Sequence, residues 1–276
     1  MNRPRRRVRF LSRATDRPQR RFSRGVSLLP SLFTMANLFC GYACVVYTMR
    51  GEYETAAPFI GVAIVLDMLD GRIARLTGTS TDFGLQFDSL ADVISFGIAP
   101  AILSFGWGLA PLGRLGWAAG FVFVTAAAMR LARFNIQSQG GGDKRYFVGM
   151  PSPAAAAIPA ATVFFYPAGV SDYRAALPAL AMVLVPAVLM VSTIRFRSFK
   201  TIDLQIRRPY TVLLLIAGAI MLITTHPRFV LVAMSYAYLA SAFIGMAVSR
   251  FRHRGGRAVS EPNVAPAAPT RDGIGL

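Results

Sequence analysis

Long apolar runs separated by short polar breaks constrain this chain more than any other feature of its sequence. About 20 apolar residues in helical form cross the hydrocarbon core of a bilayer. Only helices and closed barrels satisfy their backbone hydrogen bonds there, so runs of this length predict an all-α, polytopic integral membrane protein. Eight spans are predicted, at residues 26–49, 54–77, 84–109, 114–135, 151–169, 174–194, 209–225 and 228–249.

The composition agrees with a membrane protein and divides the chain into three parts. Charged residues make up 16% of the chain and hydrophobic residues 54%, whereas a soluble domain has roughly a quarter charged residues. Residues 1–25 form a basic arm with ten Arg, which we expect in the cytoplasm against anionic lipid. Residues 26–250 form the transmembrane domain. Residues 251–276 are rich in Pro and Ala and predict a disordered cytoplasmic tail.

The distribution of basic residues predicts the orientation. An even number of spans places both termini on one side of the membrane. With that side in the cytoplasm, 26 of the 30 Lys and Arg residues lie inside and four lie outside. This asymmetry follows the positive-inside rule. It accounts for the net charge of +17 without a nucleic-acid partner.

Acidic residues concentrate at the cytoplasmic junction of the second and third spans, in the stretch DMLDGRIARLTGTSTDFGLQFDSLAD (residues 67–92). Asp67 and Asp70 are three residues apart, and Asp88 and Asp92 are four apart, so each pair shares one helix face. Two antiparallel helices joined by a short turn bring the four carboxylates together. Cations relieve their repulsion, and oxygen donors without Cys or His favour Mg²⁺ or Mn²⁺, with Ca²⁺ as an alternative.

Two other interpretations of these acids stay open. They can form a buried ion network with Arg72 and Arg75, or act as relay groups in a cation-coupled or proton-coupled transporter. Small residues favour a bound ligand, because Gly71 and Ala74 clear a flank of the second helix and Gly84 clears one on the third. An acid cluster beside a cleared flank and an Arg suits a diphosphate bridged by metal.

The junction resembles the complete motif of the CDP-alcohol phosphatidyltransferases, with the spacing Asp67-x2-Asp70-Gly71-x2-Ala74-Arg75-x8-Gly84-x3-Asp88-x3-Asp92. The resemblance implies the fold of that family and a catalytic role for the transmembrane domain. It implies transfer of a phosphatidyl group from a CDP-lipid to an alcohol, with release of CMP. The reaction would be a metal-dependent single displacement.

The resemblance also implies residue roles. Two metal ions would be held by Asp67, Asp70, Asp88 and Asp92, and Asp92 would also serve as the catalytic base toward the acceptor hydroxyl. The residues expected to bind the CDP-lipid are Gly71, Ala74, Arg75, Thr81 and Gly84, together with Thr34 and Asn37 of the first span. The last two lie one turn apart and can instead bond to neighbouring backbone.

Three further stretches resemble the bacterial integral-membrane phosphatidylserine synthases. They are LLPSLFTMANLFCGY at 28–42, MRLARFN at 129–135 and YFVGMPSPAAAA at 146–157. This resemblance implies CDP-diacylglycerol as donor, L-serine as acceptor and a homodimer. The location would be the bacterial inner membrane, with the active site facing the cytoplasm. Glycerol phosphate and inositol phosphate are the alternative acceptors within the family.

Serine would meet Arg130, Arg133 and Asn135 at the cytoplasmic end of the fourth span. Arg residues three apart share a face, and a guanidinium can hold a carboxylate through two parallel hydrogen bonds. An Asn side chain offers both a donor and an acceptor. Positive-inside bias alone also explains Arg at this depth. In the stretch that follows, Ser152 is interpreted as the start of a helix rather than as a serine contact.

Overall fold

A computed structural model gives the fold of residues 28–77, 81–139, 147–192, 195–196, 217–218, 221–222 and 224–255. The predicted arm at 1–25 lies outside these described residues. So do most of the predicted span at 209–225 and the tail beyond residue 255.

Within those ranges the protein is helical, as the apolar runs predict. The helices are α1 (Leu28–Met49), α2 (Tyr53–Thr77), α3 (Asp82–Val93), α4 (Ala99–Ser104), α5 (Arg114–Gln139), α6 (Ser152–Phe165), α7 (Tyr173–Val191) and α8 (Pro227–Gly255). One short antiparallel pair joins β1 (Phe147–Val148) to β2 (Arg195–Phe196). The apolar helices and the outward-facing large apolar side chains make this a membrane protein.

Four helical segments in the described part of the chain are long and apolar enough to cross a bilayer. They are Ser31–Met49, Phe83–Leu112, Arg114–Gln137 and Tyr173–Val191. α2 has the length, but its charged residues near the carboxyl end lower its mean hydropathy. α6 is apolar and shorter, with 14 residues.

The predicted third span is one continuous helical rod with two irregular segments. After α3 comes a π-helical segment at Ile94–Ile98, then α4, then a second π-helical segment at Phe105–Leu109 and a 3₁₀ turn at Ala110–Leu112. π-helical segments are rare and occur often at functional sites. The first begins two residues after Asp92.

Small residues let the helices approach each other closely. α1 lies along α2, where Ala56, Ala57 and Ala63 are buried, and small residues are the usual means of tight helix contact in membranes. One very close contact joins α1 to the first π-helical segment. A methyl group added at Gly41 would lie 2.6 Å from Ser95 Oγ and 2.9 Å from Ser95 Cα. α1 therefore needs glycine at this point.

This contact gives a stability prediction. Gly41→Ala should destabilise the protein by about 2 kcal/mol, because α1 must move away from Ser95. The matched control is Gly61→Ala in α2, where an added Cβ meets nothing within 4 Å. That change should be neutral or stabilising, since Ala is the better helix former. Thermal unfolding of both purified variants in one detergent checks the difference, and equal melting temperatures would contradict it.

Hydrogen bonds tie the helices together at the end of the second π-helical segment. Trp107 Nε1 donates to the carbonyl of Tyr166 at 2.7 Å, and the amide of Val170 donates to the carbonyl of Trp107 at 2.7 Å. The Tyr53 hydroxyl donates to the carbonyl of Gly106 at 2.7 Å. Trp107 itself is buried. These bonds join the rod to α2 and to the loop after α6, at the end opposite the aspartates.

Candidate active site

Three of the four predicted carboxylates meet between α2 and α3. Asp67 from α2 and Asp88 and Asp92 from α3 each offer an oxygen, and the three oxygens lie within 4.8 Å of one another. α2 ends at Thr77 and α3 begins at Asp82, and residues near the end of α2 lie close to residues of α3. Acids that are separated in the sequence therefore form one cluster in the folded protein.

Asp70 lies beside the cluster and has its own partner. It is buried, and it accepts a hydrogen bond from the Thr34 hydroxyl of α1. Asp70 lies close enough to Asp67 and Asp88 for the negative charges to repel one another. Thr34, predicted to touch the nucleotide, is therefore in contact with an aspartate.

Asn37 connects α1 to Asp92. Its Nδ2 donates to Asp92 Oδ1 at 3.2 Å, and its main-chain carbonyl accepts from Ser95 Oγ at 2.9 Å. Asn37 is 1% exposed. The close contact at Gly41, one turn further along α1, holds this arrangement in place. Asn37 thus orients one of the clustered carboxylates.

The cluster fits a divalent cation. Asp88 Oδ1 and Asn37 Oδ1 are buried, and neither has a hydrogen-bond partner in the described structure. A buried acceptor without a donor is costly, and an oxygen-coordinated cation removes that cost. The available ligand atoms are all oxygens, the set that suits Mg²⁺, Mn²⁺ or Ca²⁺ rather than zinc. These residues could hold such an ion.

Arg130 is a basic group that lies close to the cluster in the described part of the chain. Its Nη1 donates to Ser152 Oγ at the start of α6 at 2.6 Å. Its charge attracts the carboxylates of Asp92 and Asp67 and interacts with the Tyr238 side chain of α8. The guanidinium of Arg130 is therefore bonded to α6 and lies close to the acids of α2 and α3.

The two neighbouring residues predicted to bind serine point to other parts of the structure. Arg133 Nη1 donates to the carbonyl of Val191 at the end of α7, at 3.3 Å. Asn135 Nδ2 donates to Ser89 Oγ of α3, at 2.8 Å, next to Asp88. Sequence spacing places Arg130 and Arg133 on one helix face, yet each contacts a different neighbouring helix.

The residues predicted to contact the CDP portion lie around the start of α3 and the end of α2. Thr81 caps α3, accepting from the amide of Gly84 at 3.0 Å. A Cβ at Gly84 would lie 3.1 Å from Thr81 Oγ1, so glycine leaves room for this cap. Gly71 is exposed on α2. The side chains of Ala74 and Arg75 lie outside the described residues.

Two residues near the cluster were missed as functional by sequence reasoning. Ser152 begins α6, as predicted, but it is also fully buried and bonded to Arg130. Its place in the stretch PSP between two apolar runs was an available signal. Tyr238 comes from α8, more than 100 residues after Arg130 in sequence, and nothing in its neighbourhood pointed to the site.

Comparison with known proteins identifies similar chains. The CDP-diacylglycerol–serine O-phosphatidyltransferase of Helicobacter pylori (strain ATCC 700392 / 26695) is 37% identical over 185 residues, 65% of this chain and 76% of the relative. The enzyme of that name from Mycobacterium leprae is 36% identical over 51% of this chain and 48% of its own length. The archaetidylserine synthase of Methanothermobacter thermautotrophicus is 35% identical over 61% of this chain and 69% of its own.

A family profile described as CDP-alcohol phosphatidyltransferase matches residues 27–194. The match spans α1 to α7 and includes the clustered aspartates, Arg130 and Ser152. It covers more than half of the 276 residues. The chain belongs to the CDP-alcohol phosphatidyltransferase family.

Proposed function

We propose that this protein transfers the phosphatidyl group of CDP-diacylglycerol to the hydroxyl of L-serine, giving phosphatidylserine and CMP. The observation that carries the chemistry is the cluster of three carboxylate oxygens within 4.8 Å, with Arg130 directed at it. Serine as acceptor is supported by the names of the relatives from Helicobacter pylori and Mycobacterium leprae.

The reaction is a single displacement at the lipid-side phosphorus. Asp92, held by Asn37, takes the proton of the serine hydroxyl, and the serine oxygen forms a bond to that phosphorus. The bond between this phosphorus and the CMP oxygen breaks, and CMP leaves. Asp67, Asp88 and Asp92 would hold a divalent ion, which would neutralise charge on the diphosphate and on the departing CMP.

The acceptor site is built on Arg130. A guanidinium binds a carboxylate through two parallel hydrogen bonds, and serine carries a carboxylate that the reaction leaves unchanged. The bond to Ser152 uses one N–H donor of Arg130 and leaves others for the ligand. Since Arg133 and Asn135 contact α7 and α3, Arg130 is the main serine contact in this proposal, and Asn135 supports the site through Ser89.

The remaining features follow from the resemblance and the charge distribution. The site holds two Mg²⁺ or Mn²⁺ ions on Asp67, Asp70, Asp88 and Asp92, and Gly71, Ala74, Arg75, Thr81 and Gly84 contact the CDP portion. The catalytic domain has eight spans, both termini and the active site face the cytoplasm, and the protein is a homodimer in a bacterial inner membrane. The basic arm at 1–25 binds anionic lipid.

A transporter using the same acids is disfavoured. Transport needs access from both faces of the membrane, whereas bonds from Trp107 and Tyr53 tie the helices together at the end opposite the aspartates. Buried side chains of Leu103 and Leu109 fill the helix packing there. The described helices therefore favour a site reached from one face.

The direct test uses purified protein, Mn²⁺, CDP-diacylglycerol and labelled serine. We expect release of CMP together with labelled phosphatidylserine, and loss of both when the metal is chelated. An acceptor panel with glycerol phosphate and inositol phosphate runs beside it. No CMP release with any divalent metal would reject the enzyme, and release only with another acceptor would reject serine.

Ser152 provides a graded test of the acceptor site. Ser152→Ala removes the hydroxyl that Arg130 Nη1 bonds to, so Arg130 is less well placed. We expect the KM for serine to rise about 10- to 20-fold, near the lower limit for loss of one hydrogen bond to a charged group, with a smaller change in kcat. Ser104→Ala is the control, since Ser104 is as buried as Ser152 and its hydroxyl bonds to the main-chain carbonyl of Pro100 in the third rod. Equal effects of both changes would contradict this role.

A further inference from the structure

An apolar groove runs between α5 and α7 on the outer surface of the helices, with a volume of about 490 Å³. It is lined on α5 by residues that include Val122, Ala126 and Met129, and on α7 by residues that include Val188, Val191 and Ser192. The hydroxyl of Ser192 is bonded to the carbonyl of Leu189 in its own helix. The groove therefore presents apolar surface to whatever occupies it.

The groove ends at a charged group. Val122, Ala126, Met129 and Arg133 follow each other at intervals of four, three and four residues, so Arg133 continues the same stripe by one turn. Its Nη1 bonds to the carbonyl of Val191, a groove residue, which fixes the guanidinium at the rim. A guanidinium has five N–H donors, and this is the one hydrogen bond that the described structure gives to Arg133.

The dimensions fit one acyl chain of a single leaflet. Eleven residues separate Val122 from Arg133, which corresponds to about 16 Å of helix at 1.5 Å per residue. One leaflet accounts for about half of the ~30 Å hydrocarbon core. Because Arg133 lies near the end of the predicted fourth span, on the side of the aspartates, its guanidinium lies where a phospholipid phosphate of that leaflet would be found.

We propose that the groove between α5 and α7 is a binding site for an anionic phospholipid, with one acyl chain in the groove and its phosphate on Arg133. The site is separate from the reaction centre, because Arg133 is held on α7 whereas Arg130 is directed to α6 and the aspartates. Arg is the side chain best suited to hold a phosphate through paired hydrogen bonds. The proposal does not depend on the acceptor being serine.

The test measures lipid retention by native mass spectrometry of the purified full chain, without CDP-lipid, metal or serine. The probes are phosphatidylglycerol and phosphatidylcholine with identical acyl chains. We expect the wild type to retain one phosphatidylglycerol in preference to phosphatidylcholine. Arg133→Gln should reduce that preference about fivefold, the effect of one basic residue at a lipid surface. Val188→Trp, at a 66% exposed position, should fill the groove and weaken retention of both lipids.

Matched controls separate the site from general surface effects. Arg114→Gln removes a charge at the other end of α5, and Val62→Trp enlarges an exposed residue on α2. Both variants should retain the two lipids as the wild type does. A glycerophosphodiester without acyl chains should not displace the bound phosphatidylglycerol. Equal retention of the two lipids by the wild type would overturn the proposal. So would wild-type behaviour of both groove variants, or one-for-one displacement by CDP-diacylglycerol, which would make the groove part of the substrate site.

Discussion

Asp92→Asn is expected to reduce kcat by about 10³-fold or more while leaving the affinity for CDP-diacylglycerol largely intact. Asp92 is buried, receives a hydrogen bond from Asn37 and lies within the carboxylate cluster. An amide of the same size keeps that packing but cannot take the proton of the acceptor hydroxyl. Turnover and equilibrium binding of the CDP-lipid, measured on the same preparation, check the two halves of this prediction.

Asp82→Asn is the matched control, because Asp82 lies in the same stretch but outside the spacing of the four acids. It should retain activity close to that of the wild type. If Asp92→Asn lost CDP-lipid binding and turnover to the same extent, Asp92 would be chiefly a metal ligand. The base would then have to be another group.

Arg130→Gln is expected to raise the KM for serine by about 100-fold, because the variant loses charged hydrogen bonds to the serine carboxylate. It also removes the positive charge that attracts Asp67 and Asp92, so a lower kcat is expected as well. Steady-state kinetics at varied serine separates the two effects. Serinol is a serine analogue without the carboxylate. The kcat/KM for serinol should fall much less in the variant than the kcat/KM for serine.

Two comparisons make the Arg130 prediction specific. Arg114→Gln, at the start of the same helix, should leave the kinetics unchanged. Adding Ser152→Ala to Arg130→Gln should have little further effect, because the two residues act through one hydrogen bond. Additive losses in the double variant, or equal losses for serine and serinol, would show that Arg130 does not hold the acceptor carboxylate.

Much of the architecture was predictable from the sequence, because lipid allows few solutions. Predicted spans such as 26–49 and 54–77 coincide closely with α1 and α2. The two π-helical segments in the third rod were not predictable. Hydropathy reports which residues are apolar, and it carries no information on a local change of helical hydrogen bonding or on contacts such as the one between Gly41 and Ser95.

The candidate site was predictable where periodicity decides the geometry. Helical spacing puts Asp88 and Asp92 on one face of α3, and Asp67 near the end of α2 lies close to both. Spacing on one helix could not show which neighbour each side chain meets. Arg133 bonds to α7, and Asp70 is paired with Thr34, because of how the helices are arranged around each other.

The hydrogen bonds that join Trp107 and Tyr53 to neighbouring segments have a consequence for the membrane itself. The described helices are tied together at the end opposite the aspartates, so they offer the lipid product no path between them to the opposite leaflet. Each new phosphatidylserine molecule would therefore stay in the leaflet that supplied its CDP-diacylglycerol. Synthesis would add area and negative charge to that leaflet alone. The opposite leaflet would receive phosphatidylserine only through a separate flippase or scramblase.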